Sequence, residues 1–487
     1  MQKTSFIEII RAFDKAELKR FETFLCSPYF NTRSNVIEMF GIIKKHAPEF
    51  DNKNLEKEEI WKRLFPDKKY NYGFLKNIIY DITKLAERFL ETEYLNSDEA
   101  QRNRNLLYKL YEKHLDSIFI NKYSGYEKNK ILSAKYRDNL YKDHLDMKLV
   151  RFYLEAINPK LHTRHISAEI AELMILNFMA SFSNNYNSVY IAESELNEIP
   201  ENKFVNLFSK TIFTNAELEK YIESLCKSPD KNYKMANIFF KIMKCYMNPL
   251  EMEFYFEFKK SLFENEKFIS ESALRGLYAC LGSALDNCRD ATNINKNKEL
   301  FEIINHLVTK NIFLAENGKV IPSLFLLSVK LAGYLKAPEF IEKMISDFNP
   351  KMNPELKENS LIFSMAFLHY ARNEYDKSLD FISKINVDTF QMKYILKNLQ
   401  IMISYEINDF EMFLFLMDTH RHFLSKNKSV SKSYKESNMK FLTYTNTLFK
   451  SRESNDKSDL DLIIKNLQKD VLVNKYWLIE KFKELNI

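Results

Sequence analysis

Histidine and cysteine are the side chains best suited to metal binding and nucleophilic chemistry, and the 487-residue chain holds nine histidines and five cysteines. Two histidine pairs, His162/His165 and His420/His422, are spaced closely enough to share a metal ion. A metal site also needs third and fourth ligands that converge on the ion. An arginine lies inside each pair, and no Cys or Glu lies beside it. We therefore expect solvated polar histidines and no bound metal.

The cysteines are odd in number and scattered, without a C-x-x-C pair, which indicates the reduced thiols of a cytoplasmic protein. Cys280 and Cys288 lie eight residues apart and would share a face of a continuous helix. We expect them to pack as small hydrophobic side chains. The most apolar stretches, Ile170–Phe182 and Ser323–Leu335, are interrupted by polar residues, so we expect no membrane span.

Motifs of the common catalytic and nucleotide-binding sites are missing from the sequence. It holds no G-x-G-x-x-G, no G-x-x-x-x-G-K-[ST], no H-E-x-x-H and no G-x-S-x-G. These patterns place phosphates at helix starts, bind zinc or expose a serine nucleophile. We therefore expect a protein that is not an enzyme, with no catalytic residue and no cofactor. An enzyme with an unfamiliar site inside a helical array stays open.

A basic stretch from residue 101 to residue 165 combines charge with aromatic side chains. It holds 14 lysines and arginines against 7 acidic residues. Basic residues between aromatic rings are what phosphate contact and base stacking require. Amphipathic helices that bury tyrosines and solvate lysines would give the same composition, so nucleic-acid binding is an alternative function. The tyrosines of the stretch are Tyr108, Tyr111, Tyr123, Tyr126, Tyr136, Tyr141 and Tyr153.

The segment Lys57–Pro66, followed by a turn and the predicted helix Phe74–Leu90, resembles a helix-turn-helix. Some transcription regulators join such a domain to a helical repeat array, so the resemblance implies DNA reading. However, no alternating strand pattern follows Glu91, and residues 1–95 carry 17 basic and 15 acidic residues. This nearly neutral balance does not favour the approach of phosphates. Transcription regulation is a second form of the nucleic-acid alternative.

Glycine is the residue whose number most constrains the fold, since there are 7 among 487 residues. Sheets and phosphate-binding loops need glycine for turns and close backbone approach, whereas helix interiors prefer other residues. Asp14 and Glu17 predict a capping box at a helix start. A stripe at helical spacing predicts an amphipathic helix. It consists of Leu75, Ile78, Ile82, Leu85 and Phe89. We expect an all-α fold.

Two segments in the C-terminal third repeat each other at a spacing of 35 residues. The matched pairs are Tyr370/Tyr405, Asn373/Asn408, Tyr375/Phe410 and Leu379/Leu414. A period close to 34 is that of one two-helix repeat, and Leu361–Ile385 resembles a tetratricopeptide repeat with Ala366 and Ser378 at its small-residue positions. The resemblance implies close helix packing in this copy. Ile401 and Phe413 replace the small residues in the second copy, which implies wider packing.

The tetratricopeptide resemblance also implies where a partner would bind. Stacked helix pairs of this family form a superhelix with a concave groove, and side chains of each first helix face that groove. The corresponding positions are Phe363, Phe367, Tyr370, Asn398, Met402 and Tyr405. They would suit an apolar or mixed peptide, so we expect a non-enzymatic scaffold that binds a protein or peptide. The same side chains would be packed core if other helices cover them, and both possibilities stay open.

The patterns divide the chain into three parts. Residues 1–95 form an N-terminal helical bundle, residues 96–205 a basic, tyrosine-rich helical segment, and residues 206–487 the tetratricopeptide-like α-superhelix with C-terminal capping helices. We expect Ser183–Asn202, rich in Ser and Asn, to be a loop. Leu18–Asn31 is similar to the opening of a group of uncharacterised large helical bacterial proteins, a resemblance that implies no activity.

Overall fold

The computed structural model describes residues 1, 3–130, 135–157, 166–195, 203–227, 230–288, 294–315, 317–386, 390–426, 431–454 and 459–486. These residues form 24 α-helices and no β-strand, which confirms the predicted all-α fold. The first eight helices are α1 Ser5–Arg11, α2 Lys15–Cys26, α3 Ser34–Lys44, α4 Lys57–Leu64, α5 Tyr72–Ser97, α6 Glu99–Glu112, α7 Asp116–Lys130 and α8 Leu140–Ile157.

The remaining sixteen helices follow from residue 166 onward. They are α9 Ile166–Glu195, α10 Lys203–Phe213, α11 Ala216–Leu225, α12 Lys231–Met247, α13 Met252–Asn265, α14 Glu271–Asn287, α15 Lys296–Thr309, α16 Pro322–Tyr334, α17 Pro338–Lys343, α18 Pro354–Ala371, α19 Tyr375–Lys384, α20 Phe390–Glu406, α21 Phe410–Lys426, α22 Lys432–Ser454, α23 Leu460–Lys469 and α24 Lys475–Leu485.

The chain forms two compact units. The N-terminal unit comprises residues 1–129 and 146–163, and the C-terminal unit comprises residues 130–145 and 164–487. These bounds differ from the three-part division at residues 95 and 205, which stays a prediction.

The N-terminal unit contains the predicted capping box and the predicted stripe. At the start of α2, the Glu17 N–H donates to the Asp14 carboxylate and the Asp14 N–H donates to the Glu17 carboxylate, each at 2.7 Å. The two bonds satisfy amides that a helix start otherwise leaves unpaired. The stripe of α5 is buried except for the half-buried Leu85. It packs against α2, where the rings of Phe21 and Phe89 lie 5.3 Å apart.

Helix α9 is longer than the sequence indicated. The expectation of a loop from Ser183 is wrong, because the helix continues to Glu195. Ser183 Oγ donates to the Ala180 carbonyl at 3.2 Å and Asn185 Nδ2 donates to the Ser181 carbonyl at 2.7 Å. These polar side chains therefore bond back to the helix rather than offering the backbone a different conformation. Residues 196–202 lie outside the described residues.

Within the described residues, one segment, Ile166–Val189 of α9, is long and apolar enough to cross a membrane. The polar Glu172 and Asn177, on which the expectation of no membrane span partly rested, lie inside this segment. A minority of its residues is buried. Core helices of soluble proteins can share this length and composition, and the absence of a membrane partner stays a prediction.

Three helix pairs of the C-terminal unit, α16–α17, α18–α19 and α20–α21, are joined by the same turn. Each turn holds one left-handed residue: Lys336 with φ 53°, Asn373 with φ 61° and Asn408 with φ 58°. The N–H of the next residue donates to the carbonyl five residues earlier, at 2.9, 2.8 and 2.9 Å. This bond defines the Schellman motif that ends a helix. Asparagine tolerates the left-handed conformation, which explains why Asn373 and Asn408 recur at a spacing of 35.

The helix spacings agree with the predicted small residues. Ser378 Oγ on α19 donates to the Ala366 carbonyl of α18 at 2.8 Å, and both residues are buried. Helices α20 and α21, where Ile401 and Phe413 stand at the matched positions, pack less closely than α18 and α19. The close packing of the first copy and the wider packing of the second are therefore confirmed.

Candidate partner-binding surface

The six predicted groove residues lie in the core of the C-terminal unit. All six are buried, so the expectation that they face an open groove is wrong. The rings of Phe363 and Phe367 lie 4.8 Å apart, and α16 approaches so closely that any side chain at Gly333 would collide with Phe367. Packed core is the correct interpretation of the set, which consists of Phe363, Phe367, Tyr370, Asn398, Met402 and Tyr405.

Tyr370 and Tyr405 share a structural role at helix ends. Lys336 Nζ donates to the Tyr370 carbonyl oxygen at 2.8 Å and lies 3.8 Å from the centroid of the same tyrosine's ring. Arg452 Nη1 donates to the Tyr405 carbonyl oxygen at 2.9 Å, with its guanidinium 5.0 Å from that ring. Cations are favoured at helix C-termini and over aromatic faces. At each of the two helix ends, a cation therefore binds the tyrosine carbonyl and packs against the ring of the same tyrosine.

Asn398 belongs to a buried polar cluster of α20, α21 and α22. Its Nδ2 donates to Asn438 Oδ1 at 3.2 Å, and His420 is buried beside Asn438. Burial lowers the pKa of His420 to about 4, so the imidazole is neutral. Asn438 offsets part of this shift, although neither ring nitrogen makes a hydrogen bond of ordinary geometry within the described residues.

The burial of His420 contradicts the expectation that both histidines of its pair are solvated. His422 is exposed, because residues two apart on a helix point in different directions. The two imidazoles therefore do not converge on a shared ion. The other pair, His162 and His165, lies outside the described residues. No group of three or more His, Cys, Asp or Glu that could hold a metal occurs in the described part of the chain.

Cys280 and Cys288 are buried, as predicted. Burial raises the pKa of the Cys280 thiol to about 12. Because the thiolate is the nucleophilic form of cysteine, a protonated buried thiol suits packing rather than catalysis.

A carboxylate with three partners joins the ends of α13 and α15 to the middle of α14. Glu266 accepts the Tyr278 hydroxyl, lies 2.5 Å from His306 Nε2 and lies 3.3 Å from Lys310 Nζ. Burial opposes ionisation, yet the hydrogen bonds from Tyr278 and His306 prevail and lower the pKa of Glu266. The carboxylate oxygens are engaged by side chains of two other helices. The arrangement therefore fits a structural junction better than a general base, which must be able to accept a substrate proton.

The basic stretch of residues 101–165 buries part of its aromatic content. Tyr123, Tyr136 and Tyr141 are buried, whereas Tyr153 is exposed. Several basic residues of the stretch face carboxylates, as Arg151 Nε does with Glu155 at 2.8 Å. The buried rings favour helix packing over base stacking for these three tyrosines. Residues 131–134 and 158–165 lie outside the described residues.

An apolar groove runs along α9 in the C-terminal unit. It encloses about 460 Å³ and is lined by Leu145, Met174, Asn177, Phe178, Ser181, Phe182 and Asn185. Helix α10 extends this surface: the Phe208 ring lies 5.6 Å from Phe178 and 6.1 Å from Phe204. Phe204 is 78% exposed and Leu207 is 69% exposed. We call these lining residues together with Phe204, Leu207 and Phe208 the α9–α10 groove.

The sequence interpretation missed this groove. Helix α10 has a buried side with Ser209 and Phe213 and an apolar exposed side with Phe204 and Leu207. The available signal was an 11-residue helix with apolar residues on more of its surface than one core contact requires. The expected loop between residues 183 and 202 hid the relation of α9 to α10.

Comparisons of the chain with protein-family models, with curated proteins and with solved structures found no match. The candidate site therefore rests on the geometry and chemistry of the α9–α10 groove.

Proposed function

We propose that this protein is a non-enzymatic, cytoplasmic interaction scaffold that binds a protein partner in the α9–α10 groove. The observation that carries the proposal is the contiguity of its exposed aromatic rings. Single exposed apolar residues are ordinary on protein surfaces, whereas contiguous apolar patches mark binding sites. The three repeated turns support a further part of the proposal, a tetratricopeptide-like superhelix of helix pairs.

The rows of side chains along α9 indicate the chemistry of the partner. Met174, Phe178 and Phe182 follow one another at spacings of four, as neighbours on one helix face do, and form an apolar row in the groove. Asn177, Ser181 and Asn185 also line the groove, although almost all of its exposed wall is apolar. An apolar groove along a helix fits an amphipathic helix, which places apolar anchors in the groove and keeps its polar residues towards solvent.

Site-specific photo-crosslinking tests the proposal in the native cell. A photoreactive amino acid at Leu207 should label a discrete protein partner, because that position is exposed beside the groove. The matched control carries the same amino acid at Phe415 of α21, which is also 69% exposed. A partner labelled from Leu207 and not from Phe415, with or without nuclease treatment, is the expected result.

Introducing a charge into the surface gives the second readout. Phe204→Glu removes an exposed ring and should leave the fold unchanged by circular dichroism, yet weaken binding of the purified partner at least about tenfold if the ring is a hot spot. Equal affinity of Phe204→Glu and wild type would remove the groove from the proposal. If the photoreactive group at Leu207 labels lipid and the protein floats with vesicles, the groove binds a membrane surface and not a protein partner.

A further inference from the structure

The connection between α4 and α5 in the N-terminal unit carries exposed rings and lysines. It runs from Phe65 to Asn71, and every residue from Pro66 to Phe74 is exposed. A helix-turn-helix has a turn of about three or four residues, so this longer connection does not match the predicted motif. We call its exposed residues, with the next lysine of α5, the aromatic–lysine face, which consists of Lys68, Lys69, Tyr70, Tyr72, Phe74 and Lys76.

Two rings of the face are positioned by the buried Trp61. Trp61 Nε1 donates to the Lys68 carbonyl at 2.9 Å, which ties the connection to α4. The rings of Tyr70 and Phe74 lie 5.9 and 6.1 Å from the indole, and both are inclined by 88° to it. Rings held in advance lose little conformational freedom on binding a ligand. Tyr70 and Phe74 are therefore positioned before any partner arrives.

The charge of the face is positive. Between Lys68 and Tyr80 the sequence has three lysines and no Asp or Glu. Lys57 of α4 adds a cation, with its Nζ 4.8 Å from the ring centroid of Tyr72, and it lies between the exposed Glu56 and Glu58 in sequence. Asp67 is the one acidic residue within the exposed connection.

The acidic residues next along the chain are engaged elsewhere. Glu59 of α4 pairs with Lys62 at 2.7 Å, and Asp81 of α5 pairs with Arg33. Lysines outnumber acidic groups on the face, and a ligand with repeated negative charge would be attracted to it.

We propose that the aromatic–lysine face binds single-stranded nucleic acid. Bases stack on Tyr70, Tyr72 and Phe74, whose rings reach the surface, and Lys68 and Lys69 contact the phosphates. Unpaired bases expose the faces that stacking needs, and rings beside lysines are the usual platform for them. Double-stranded DNA hides those faces in its own stack, and the connection does not present a recognition helix.

A membrane surface fits the same residues less well. The exposed segment from residue 66 to residue 74 contains no Leu, Ile, Val or Met, the aliphatic side chains that help to anchor an interfacial segment in the acyl region. Tyr72 is 49% exposed and carries its hydroxyl within 3.5 Å of Lys57 Nζ. A tyrosine beside a lysine at the surface suits a base and its phosphate.

Fluorescence anisotropy of the full-length chain tests this proposal. The probes are fluorescein-labelled oligothymidylate and oligouridylate of about 20 nucleotides, at roughly 50 and 200 mM salt. Tyr72→Ala should weaken binding at least about fivefold, the lower end of the loss for one base–aromatic stack. The double variant K68E/K69E should weaken binding at least about tenfold and reduce the slope of log affinity against log salt by roughly 1.4, as loss of two phosphate contacts predicts.

Matched controls separate stacking from general charge. Tyr94→Ala removes a 68% exposed tyrosine of the same helix α5, and K109E/K113E reverses two exposed lysines at the end of α6. Both should bind the oligonucleotides as wild type does. The proposal is overturned if Tyr72→Ala binds like wild type, if heparin and duplex DNA compete as well as single strands, or if Tyr72 is needed for flotation on anionic vesicles and not for oligonucleotide binding. Phe204→Glu should leave oligonucleotide affinity unchanged, so this result and that of the groove are independent.

Discussion

The helix pairs α18–α19 and α20–α21 share a turn and differ in the space between their helices. In the first pair, Ser378 reaches the Ala366 carbonyl across a close contact. In the second pair, Ile401 and Phe413 fill the matched positions, and the Phe413 ring packs 4.7 Å from Phe449 of α22. The second pair therefore fills the space between its helices with an aromatic ring that also packs on α22, whereas the first pair bridges that space with a hydrogen bond.

The likeness between these two helix pairs therefore lies in the helix ends rather than in the helix interiors. The left-handed asparagine, the preceding tyrosine and the cation on that tyrosine recur in both pairs. The helix interiors differ according to the helices that pack on them. The second pair contributes Asn398 and His420 to a buried cluster with Asn438 of α22. A turn can stay constant while the packing it leads into changes.

Phe413→Ala should lower the stability of the fold more than any other substitution in this comparison. The substitution opens a cavity between α21 and α22 and should lower the free energy of unfolding by about 3–5 kcal/mol. The matched change in the first pair, Ser378→Ala, removes one buried hydrogen bond and should cost about 1 kcal/mol. Urea denaturation measures both, with Phe415→Ala as the exposed control on α21. Equal losses at positions 378 and 413 would mean that the two interiors are built alike.

Acid should weaken the second pair specifically, through His420. The folded state holds the pKa of this imidazole at about 4, whereas an unfolded histidine titrates near 6.5. Because the unfolded chain binds the proton first, the stability from His420 is complete above pH 6.5 and declines as the pH falls towards 4, by up to about 3 kcal/mol.

The measurement for His420 is the free energy of unfolding from pH 7 to pH 4 in wild type, His420→Gln and His422→Gln. The His420→Gln variant should show a shallower decline, and the exposed His422→Gln should follow the wild type. A decline that is identical in all three proteins would show that His420 is not a buried neutral imidazole.

Ala366→Leu should change stability less than Phe413→Ala or the acid titration of His420. The added side chain crowds the region where Ser378 of α19 contacts the Ala366 carbonyl, and overpacking of this kind costs about 1–3 kcal/mol. Ile401→Leu at the matched position keeps the side-chain volume and should cost less than about 1.5 kcal/mol. Thermal unfolding compares the two variants. A tolerated Ala366→Leu together with a damaging Ile401→Leu would reverse the order of packing assigned to the pairs.

Several features of the fold were predictable because they depend on local chemistry. The capping box of Asp14 and Glu17, the stripe of α5, and the close contact of Ala366 with Ser378 each involve residues near in sequence. The asparagines at a spacing of 35 marked the turns for the same reason.

The candidate sites were not predictable, because exposure depends on distant helices. Periodicity showed that Phe363 and Phe367 share a helix face, and it could not show that α16 covers part of that face. The neighbouring Arg421 suggested a solvated His420, and the sequence could not show that packing against other helices buries this histidine. Predicting the groove would have required knowing that α9 continues past Ser183 and that α10 packs against α9.

The cations on Tyr370 and Tyr405 bear on how these helix pairs can evolve. Lys336 belongs to the α16–α17 turn and caps α18, and Arg452 belongs to α22 and caps α20. Gain or loss of a whole helix pair would separate a cation from its tyrosine on one side and leave a helix end without its cation on the other. Selection should therefore preserve the number and order of these pairs while their interiors drift.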